Sequence, residues 1–219
     1  MKISELAIAV YLYERFTPYD KSYIEFLDAI GDGCDLGNRK TRDLLYQWLN
    51  KWGCRLDRKH KKNVSRELLK WHKEFGSDLP SASANLWDLT GKELDHGADL
   101  FNSLVNALKR ASDRREWTAA AKILFATRPN VFPPWDGAIR KAKGYDRPDG
   151  YVRFLKETKQ VVLDLRSECE RRDIAIEDLP QKLNRPRSSI PKLIDEYNWV
   201  TITKGISIPT LKELLAGFT

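Results

Sequence analysis

Cysteine and histidine are scarce in this 219-residue chain, and their arrangement disfavours several kinds of site. The three cysteines, Cys34, Cys54 and Cys169, are odd in number and far apart, which argues against a disulfide framework. No CxxC pair occurs, and the three histidines lack metal-ligand spacing. We therefore expect no zinc or iron–sulfur site, no other metal site and no cofactor.

Long hydrophobic runs are also missing. No stretch approaches the roughly 18 apolar residues that a membrane helix requires. Residues 1–16 carry Glu5 and Glu14 within their apolar pattern, which is typical of an amphipathic helix and not of a signal peptide. We expect a cytoplasmic monomer without a membrane partner.

Positive charge, in contrast, is abundant. The net charge is +7 and the isoelectric point is near 9.2. Residues 51–75 hold nine Lys or Arg against three acids, and shorter basic runs follow at 109–115 and 140–143. Solvated helix faces would explain any single run. Three runs in a basic chain favour a polyanionic partner, because binding releases the counterions of the polyanion.

Apolar residues recur at helical spacing almost throughout, which predicts an all-α protein. Alternation typical of a strand or an extended tail occurs only within residues 199–206. Breaks rich in Gly, Pro, Asp or Asn are short, and none forces a domain boundary. We predict a single domain, 1–219, with N-terminal helices in 1–97, a central part in 98–145 and C-terminal helices in 146–219.

Residues 117–140 hold the most informative pattern, WTAAAKILFATRPNVFPPWDGAIR. It predicts a helix from Trp117 to about Ala126, a proline-bounded loop, and a second helix that opens at Asp136. Thr118 and three alanines allow the first helix to pack closely against a neighbour. Asp136 is placed to cap the second helix, and capping alone would explain an isolated string of this kind.

The order of these features resembles the catalytic core of the helix-hairpin-helix DNA glycosylases. In that family a Thr-Ala-rich helix follows a hairpin, and the catalytic aspartate comes just under twenty residues beyond it. Asp136 stands 18 residues after Thr118, and FPPWDGAIRKA is similar to the family's aspartate segment. The resemblance covers residues 108–142. It implies a glycosylase-like helical bundle, which can divide into two lobes with the site between them, and Asp136 as the catalytic carboxylate.

Trp117, just before the Thr-Ala pair, separates two branches of that family. Members that also cleave the DNA strand carry a lysine there, whose amine forms a Schiff base with the sugar. Tryptophan at this place is similar to the 3-methyladenine DNA glycosylase II branch and implies base removal without strand cleavage. A core position is the alternative for Trp117. Lys122 is the one nearby amine that could restore a lyase activity, although we expect it on the surface.

The hairpin itself departs from the family. Family hairpins usually read Leu-Pro-Gly-x-Gly and hold a DNA phosphate with glycine amides, whereas this chain has RASDRREW without glycine. Arginine charge and the amides at the helix start would make the phosphate contact instead. The predicted contacts to double-stranded DNA are Ser112, Arg114, Arg115, Thr118, Arg140 and Lys141.

A glycosylase must also hold the base that it flips out of the stack. In the family, the region before the hairpin lines the base pocket, and this chain has aromatic residues in and around its catalytic segment. The candidate base-pocket residues are Trp117, Trp87, His96, Phe101, Asn102 and Trp135.

The C-terminal segment allows a different interpretation. Apolar positions around an Asn-Arg-Pro turn in residues 176–194 are typical of a helix-turn-helix, with a recognition helix opening at Arg185, Arg187, Ser188 and Ser189. Pro191, in the first turn of that helix, argues against it. Terminal core helices are the alternative.

Two functions follow from these patterns. The first is a monofunctional DNA glycosylase that excises a damaged or modified base and leaves an abasic site. The second is a non-enzymatic DNA-binding protein or regulator that uses the C-terminal segment. An all-helical scaffold without salt-dependent affinity for DNA would be a third class.

Overall fold

The computed structural model describes residues 1–31, 33–145, 149–209 and 213, and every regular element among them is helical. The predicted all-α class is therefore confirmed. The alternating residues 199–206 form no strand: Trp199–Thr203 is a turn of π-helix. This turn follows directly on a buried helix, so helical hydrogen bonding continues through residues whose side chains alternate in polarity.

Ten α-helices make up most of the described chain: α1 (Ile3–Phe16), α2 (Tyr19–Ile30), α3 (Arg39–Lys51), α4 (Lys61–Phe75), α5 (Gly91–Ser112), α6 (Trp117–Thr127), α7 (Gly137–Ala142), α8 (Gly150–Glu170), α9 (Leu179–Lys182) and α10 (Ile190–Asn198). Side chains with a polar oxygen begin several of them, as N-cap chemistry requires. Asn38 caps α3, Thr90 forms a capping box with Glu93 at α5, and Ser189 caps α10.

The helices share one large hydrophobic core, which includes residues from Leu6 in α1 to Ile194 in α10. The long helix α5 packs against α4 on one side and α8 on the other, while α1 packs against α10. Ala119, Ala120 and Ala121 of α6 are fully buried, so the small residues do allow the close helix packing that their sequence predicts. This packing fixes α6 and the loop that follows it.

A sharp turn joins α5 to α6 and forms the hairpin. Asp113 has φ 58° and ψ 11°, the left-handed conformation in which glycine is most common. Aspartate is among the few other residues that tolerate it. The hairpin therefore keeps its tight turn without a glycine, and Ser112 Oγ donates back to the carbonyl of Leu108 at 3.0 Å.

The C-terminal segment does not expose a recognition helix. Eight of the nine residues of α10 are buried, and Ser189 Oγ donates to the carbonyl of Pro129 at 2.7 Å. Arg185 is buried against α1, where its guanidinium donates to the carbonyl of Val10 at 3.1 Å. Because α10 lies inside the protein, it cannot enter a DNA groove as the helix-turn-helix interpretation requires. Pro191 and the apolar spacing belong to a core helix.

No helix among the described residues is both long enough and apolar enough to cross a membrane.

Candidate functional site

A cavity of about 350 Å³ lies beside the start of α6. Its walls come from α1, α2, the turn after α3, the hairpin, α6, the start of α7, α10 and the π-helical turn. Five of its lining residues are aromatic: Tyr13, Tyr19, Trp52, Trp117 and Trp199. The lining also includes three basic residues, Arg115, Lys122 and Arg140, and three acidic ones, Glu116, Asp136 and Asp195. The cavity therefore combines aromatic walls with many polar groups, which can orient a bound molecule.

Aromatic contacts link opposite ends of the chain along one wall. The rings of Tyr13 and Trp199 meet edge to face with centroids 5.2 Å apart, and Tyr19 approaches Trp199 at 6.3 Å. Such edge contacts stabilise a defined ring orientation. The wall is therefore built from α1, α2 and the π-helical turn together.

Asp136 sits at the edge of this cavity, as the N-cap of α7. Its Oδ1 accepts the backbone N–H of Ile139 at 2.8 Å, and its Oδ2 accepts the hydroxyl of Thr203 at 3.2 Å. The predicted capping role is confirmed. Asp136 also lines the cavity. The capping hydrogen bond therefore fixes the position of a carboxylate that a bound molecule would meet.

Trp117 lies at the first residue of α6 and is partly exposed to the cavity. The guanidinium carbon of Arg140 is 4.8 Å from its ring centroid, a cation–π contact. Trp117 is also 6.4 Å from the ring of Trp135. The side chain therefore joins the cavity wall to the core, which combines the two roles that the sequence left open for it.

Lys122 does not lie on the surface, and that expectation was wrong. Its side chain is buried and lines the cavity one turn below Trp117. The Nζ atom donates to the backbone carbonyl of Trp52 at 2.5 Å and lies 4.7 Å from the ring centroid of the same residue. Both contacts hold the amine against Trp52, so an attack on a sugar would have to break them.

Asp195 is a lining residue that the sequence did not single out. It lies on α10 and is 8% exposed, which makes it the most buried acid of the cavity. Burial, followed by the charge of Asp136, raises its pKa to about 8, although Lys122 and Lys192 oppose the shift. At neutral pH the carboxyl therefore carries a proton. In the sequence, the one indication that Asp195 is buried is its place among the apolar positions of a predicted helix.

Cys54 also lines the cavity. Burial raises the pKa of its thiol to about 11. The thiol therefore stays protonated at neutral pH, which disfavours nucleophilic catalysis by a thiolate. No group of His, Cys, Asp and Glu side chains within the described ranges is arranged to hold a metal ion.

The other candidate base-pocket residues lie elsewhere. Trp87, Phe101 and Trp135 belong to the hydrophobic core, where Phe101 stacks on Tyr151 with ring centroids 4.0 Å apart. His96 is exposed on α5, and Asn102 is partly exposed on the same helix. Of the six predicted base-pocket residues, Trp117 alone lines this cavity. Phe101 and Trp135 both stack on Tyr151 of α8, which holds these two rings away from the cavity.

The predicted DNA contacts surround the cavity and the hairpin. Arg115, Thr118 and Arg140 line the cavity, while Arg114 and Lys141 are exposed beside it in the chain. Ser112 differs, because it is buried and its hydroxyl is used within the turn.

The basic segment, residues 51–75, lies next to the hairpin. A second cavity of about 260 Å³ lies between the hairpin and the segment after α3, and its cations are Arg55, Lys59 and Arg114. Glu116 lines both cavities. The hairpin and the basic segment therefore form one continuous surface at the mouth of the aromatic site.

Comparison with protein-family models, with curated proteins and with solved structures gives no match.

Proposed function

We propose that this protein is a monofunctional DNA glycosylase, which flips a damaged or modified base out of double-stranded DNA and hydrolyses its N-glycosidic bond. The observation that carries the proposal is the position of Asp136. Its carboxylate is fixed by the start of α7 and lines a cavity with aromatic walls. Trp117 lines the same cavity, at the position where the resemblance places the lysine of strand-cleaving glycosylases. We expect the enzyme to act without a cofactor, as a monomer in the cytoplasm.

The cavity suits a flipped base. Its volume of about 350 Å³ is at the small end for ligand sites. Trp117 and Trp199 line it and are both partly exposed, so they are the aromatic rings placed to contact a planar guest. Stacking between a base and an aromatic side chain contributes about 1–3 kcal/mol. This energy offsets part of the cost of unstacking the base from the duplex.

Asp136 supplies the chemistry at the sugar. As the bond between C1′ and the base nitrogen breaks, positive charge develops on the deoxyribose. A fixed carboxylate stabilises that charge and accepts a proton from the water that attacks C1′. The products are the free base and an abasic site. The two hydrogen bonds to Asp136 keep the carboxylate oriented without neutralising it.

The hairpin and the basic segment bind the duplex. Arg114 and Arg115 are exposed at the turn between α5 and α6, and the amides at the start of α6 favour a phosphate through the helix dipole. Arg55 and Lys59 extend this charge along the neighbouring surface. Contacts of this kind position the DNA but do not read its sequence.

An excision assay tests the proposal. The protein is incubated with duplexes that carry uracil, hypoxanthine, 8-oxoguanine, 7-methylguanine or 5-hydroxymethylcytosine, and hot alkali then cleaves any abasic site. We expect strand breaks with at least one duplex only after alkali. Breaks without alkali would contradict a monofunctional enzyme, and no breaks with any duplex would contradict excision of these bases.

Borohydride added to the same reactions tests Lys122. A Schiff base between its amine and the abasic sugar would be reduced to a stable protein–DNA adduct. Because the amine donates to the carbonyl of Trp52 inside the protein, and an attack on the sugar would break this contact, we expect no adduct. The Lys122→Met protein should therefore yield the same products as the unchanged protein. An adduct that disappears in this variant would assign a lyase activity to Lys122.

Replacing Arg114 and Arg115 with alanine should weaken binding to an undamaged duplex in a salt-dependent way. Each phosphate contact adds about 1 to the slope of log affinity against log salt. We expect the slope to fall by about 2, measured by fluorescence anisotropy. The matched control replaces two other exposed cations, Arg171 and Lys182. An equal fall in both variants would show that the hairpin is not the DNA-binding surface.

A further inference from the structure

Two carboxyl groups share the aromatic cavity in unlike surroundings. Asp136 is partly exposed and accepts hydrogen bonds from a backbone amide and from the hydroxyl of Thr203. Asp195 is only 8% exposed on α10, where it lines the cavity. A pair of acids whose environments differ in this way divides the roles of base and acid in many enzymes.

The charged groups that shift the pKa of Asp195 come from three elements. Its own helix contributes Lys192 and Glu196, α6 contributes Lys122, and Asp136 is the N-cap of α7. Tyr13 of α1 is a neighbouring titratable group, whose pKa Asp195 helps to raise. The two lysines each have other partners: Lys122 donates to the carbonyl of Trp52, and Lys192 to Asp20 and Glu196. The hydrogen bonds of both lysines therefore go to groups other than Asp195.

We propose that Asp195 is the general acid of the excision reaction and gives its proton to the departing base, so that the substrates are uncharged bases; this inference rests on the proposed glycosylase function. Asp195 lines the cavity into which the base would be flipped, whereas Asp136 is held at the start of α7 by the backbone. Both carboxyl groups therefore line the cavity in which the bond would break.

The proposed step balances as follows. The bond between C1′ and the base nitrogen breaks, and its electron pair moves onto the base, which takes the proton of the Asp195 carboxyl. Water adds to C1′ and gives its proton to the Asp136 carboxylate. A neutral free base and an abasic sugar result, and exchange with solvent returns both acids to their starting states.

The substrate class follows from the leaving group. A base such as hypoxanthine or 8-oxoguanine is uncharged in DNA and would depart as an anion unless it received a proton. A cationic base such as 7-methylguanine departs as a neutral molecule and needs no proton. An acid in the cavity therefore accelerates the excision of an uncharged base and has little effect on the excision of a cationic base.

The reaction should also depend on pH. Asp195 donates a proton only in its neutral form, and its pKa is raised to about 8. Excision of an uncharged base should therefore be constant below this pH and fall about tenfold per unit above it. Excision of 7-methylguanine should lack this fall.

Single-turnover excision of hypoxanthine, 8-oxoguanine and 7-methylguanine tests the inference. We expect Asp195→Asn to slow the two uncharged bases by about 100-fold, to remove the fall above pH 8 and to change 7-methylguanine by less than about threefold. The matched control is Glu168→Gln, which alters a buried acid outside the cavity lining. Equal losses on all three bases would assign Asp195 a structural role and overturn the inference.

Other outcomes separate the inference from the function on which it rests. A protein that excises 7-methylguanine alone remains a glycosylase, but its acid is not Asp195. A protein that excises none of the three bases contradicts their excision, and with it the substrate class that the inference assigns.

Stability gives a second readout without substrate. The folded state keeps the Asp195 proton that the unfolded chain releases above its ordinary pKa of 3.8. The free energy of unfolding of the unchanged protein should therefore fall, relative to Asp195→Asn, between about pH 4 and about pH 8. Parallel curves for the two proteins would overturn the protonated state that the inference requires.

Discussion

Replacing Asp136 with asparagine should slow base excision by about 10³-fold. Asparagine caps a helix about as well as aspartate does, so it can still accept the amide of Ile139 and α7 should remain folded. The substitution removes the negative charge that would stabilise the sugar cation and the group that would accept a proton from water. The measurement is single-turnover excision, with duplex affinity followed in parallel.

Duplex affinity should change by less than about threefold, because the phosphate contacts are assigned to the hairpin. The matched control is Asp35→Asn, at another aspartate whose side chain accepts a backbone amide, that of Gly37 at 2.7 Å, but outside the cavity lining. Excision by Asp136→Asn at the rate of the unchanged protein would leave Asp136 as a capping residue and contradict the mechanism.

Replacing Lys192 with methionine should destabilise the protein by about 3–5 kcal/mol. Its side chain is fully buried, and its Nζ atom donates to Asp20 Oδ1 at 2.7 Å and to the carboxylate of Glu196. Burial alone would lower the pKa of this amine, but the two carboxylates raise it. Methionine fills a similar volume but removes the cation that is hydrogen-bonded to both acids. Arg185, whose Nε lies 3.7 Å from Asp20 and 3.8 Å from Glu196, stays near them at a longer distance.

Denaturant unfolding measures this loss. Lys182→Met provides the matched control, because Lys182 is exposed on α9, and its change should stay within about 0.5 kcal/mol. Adding Glu196→Gln to Lys192→Met should recover part of the loss, since Arg185 still lies 3.7 Å from Asp20. A loss below about 1 kcal/mol would show that water reaches the two carboxylates.

The sequence predicted the local features around Asp136 well. The small residues of α6, the proline-bounded loop and the capping carboxylate are all set by neighbours within a few positions. N-cap preference and helical periodicity act at this range. The all-α class follows in the same way, from apolar spacing along each helix.

The composition of the cavity was harder to predict. Tyr13, Trp52 and Asp195 reach it from three distant parts of the chain, and no spacing in the sequence encodes that meeting. The aromatic residues chosen near the hairpin were drawn into the core instead, because α8 supplies Tyr151 as a stacking partner for Phe101 and Trp135. Which aromatic side chains enter the core depends on how much apolar area each packing of the helices buries. Several packings that bury similar areas fit the same hydrophobic pattern, so the sequence alone does not choose between them.

The contact between Tyr13 and Trp199 bears on how the protein is made. A ribosome releases the chain from its N-terminus, so Tyr13 emerges long before Trp199 and must wait for its partner. Thr203, which orients Asp136, emerges later still. A nascent chain thus has the hairpin and its arginines before it has a closed cavity. In such a chain the capacity to hold DNA would precede the capacity to hold a base, and the π-helical turn Trp199–Thr203 would complete the site.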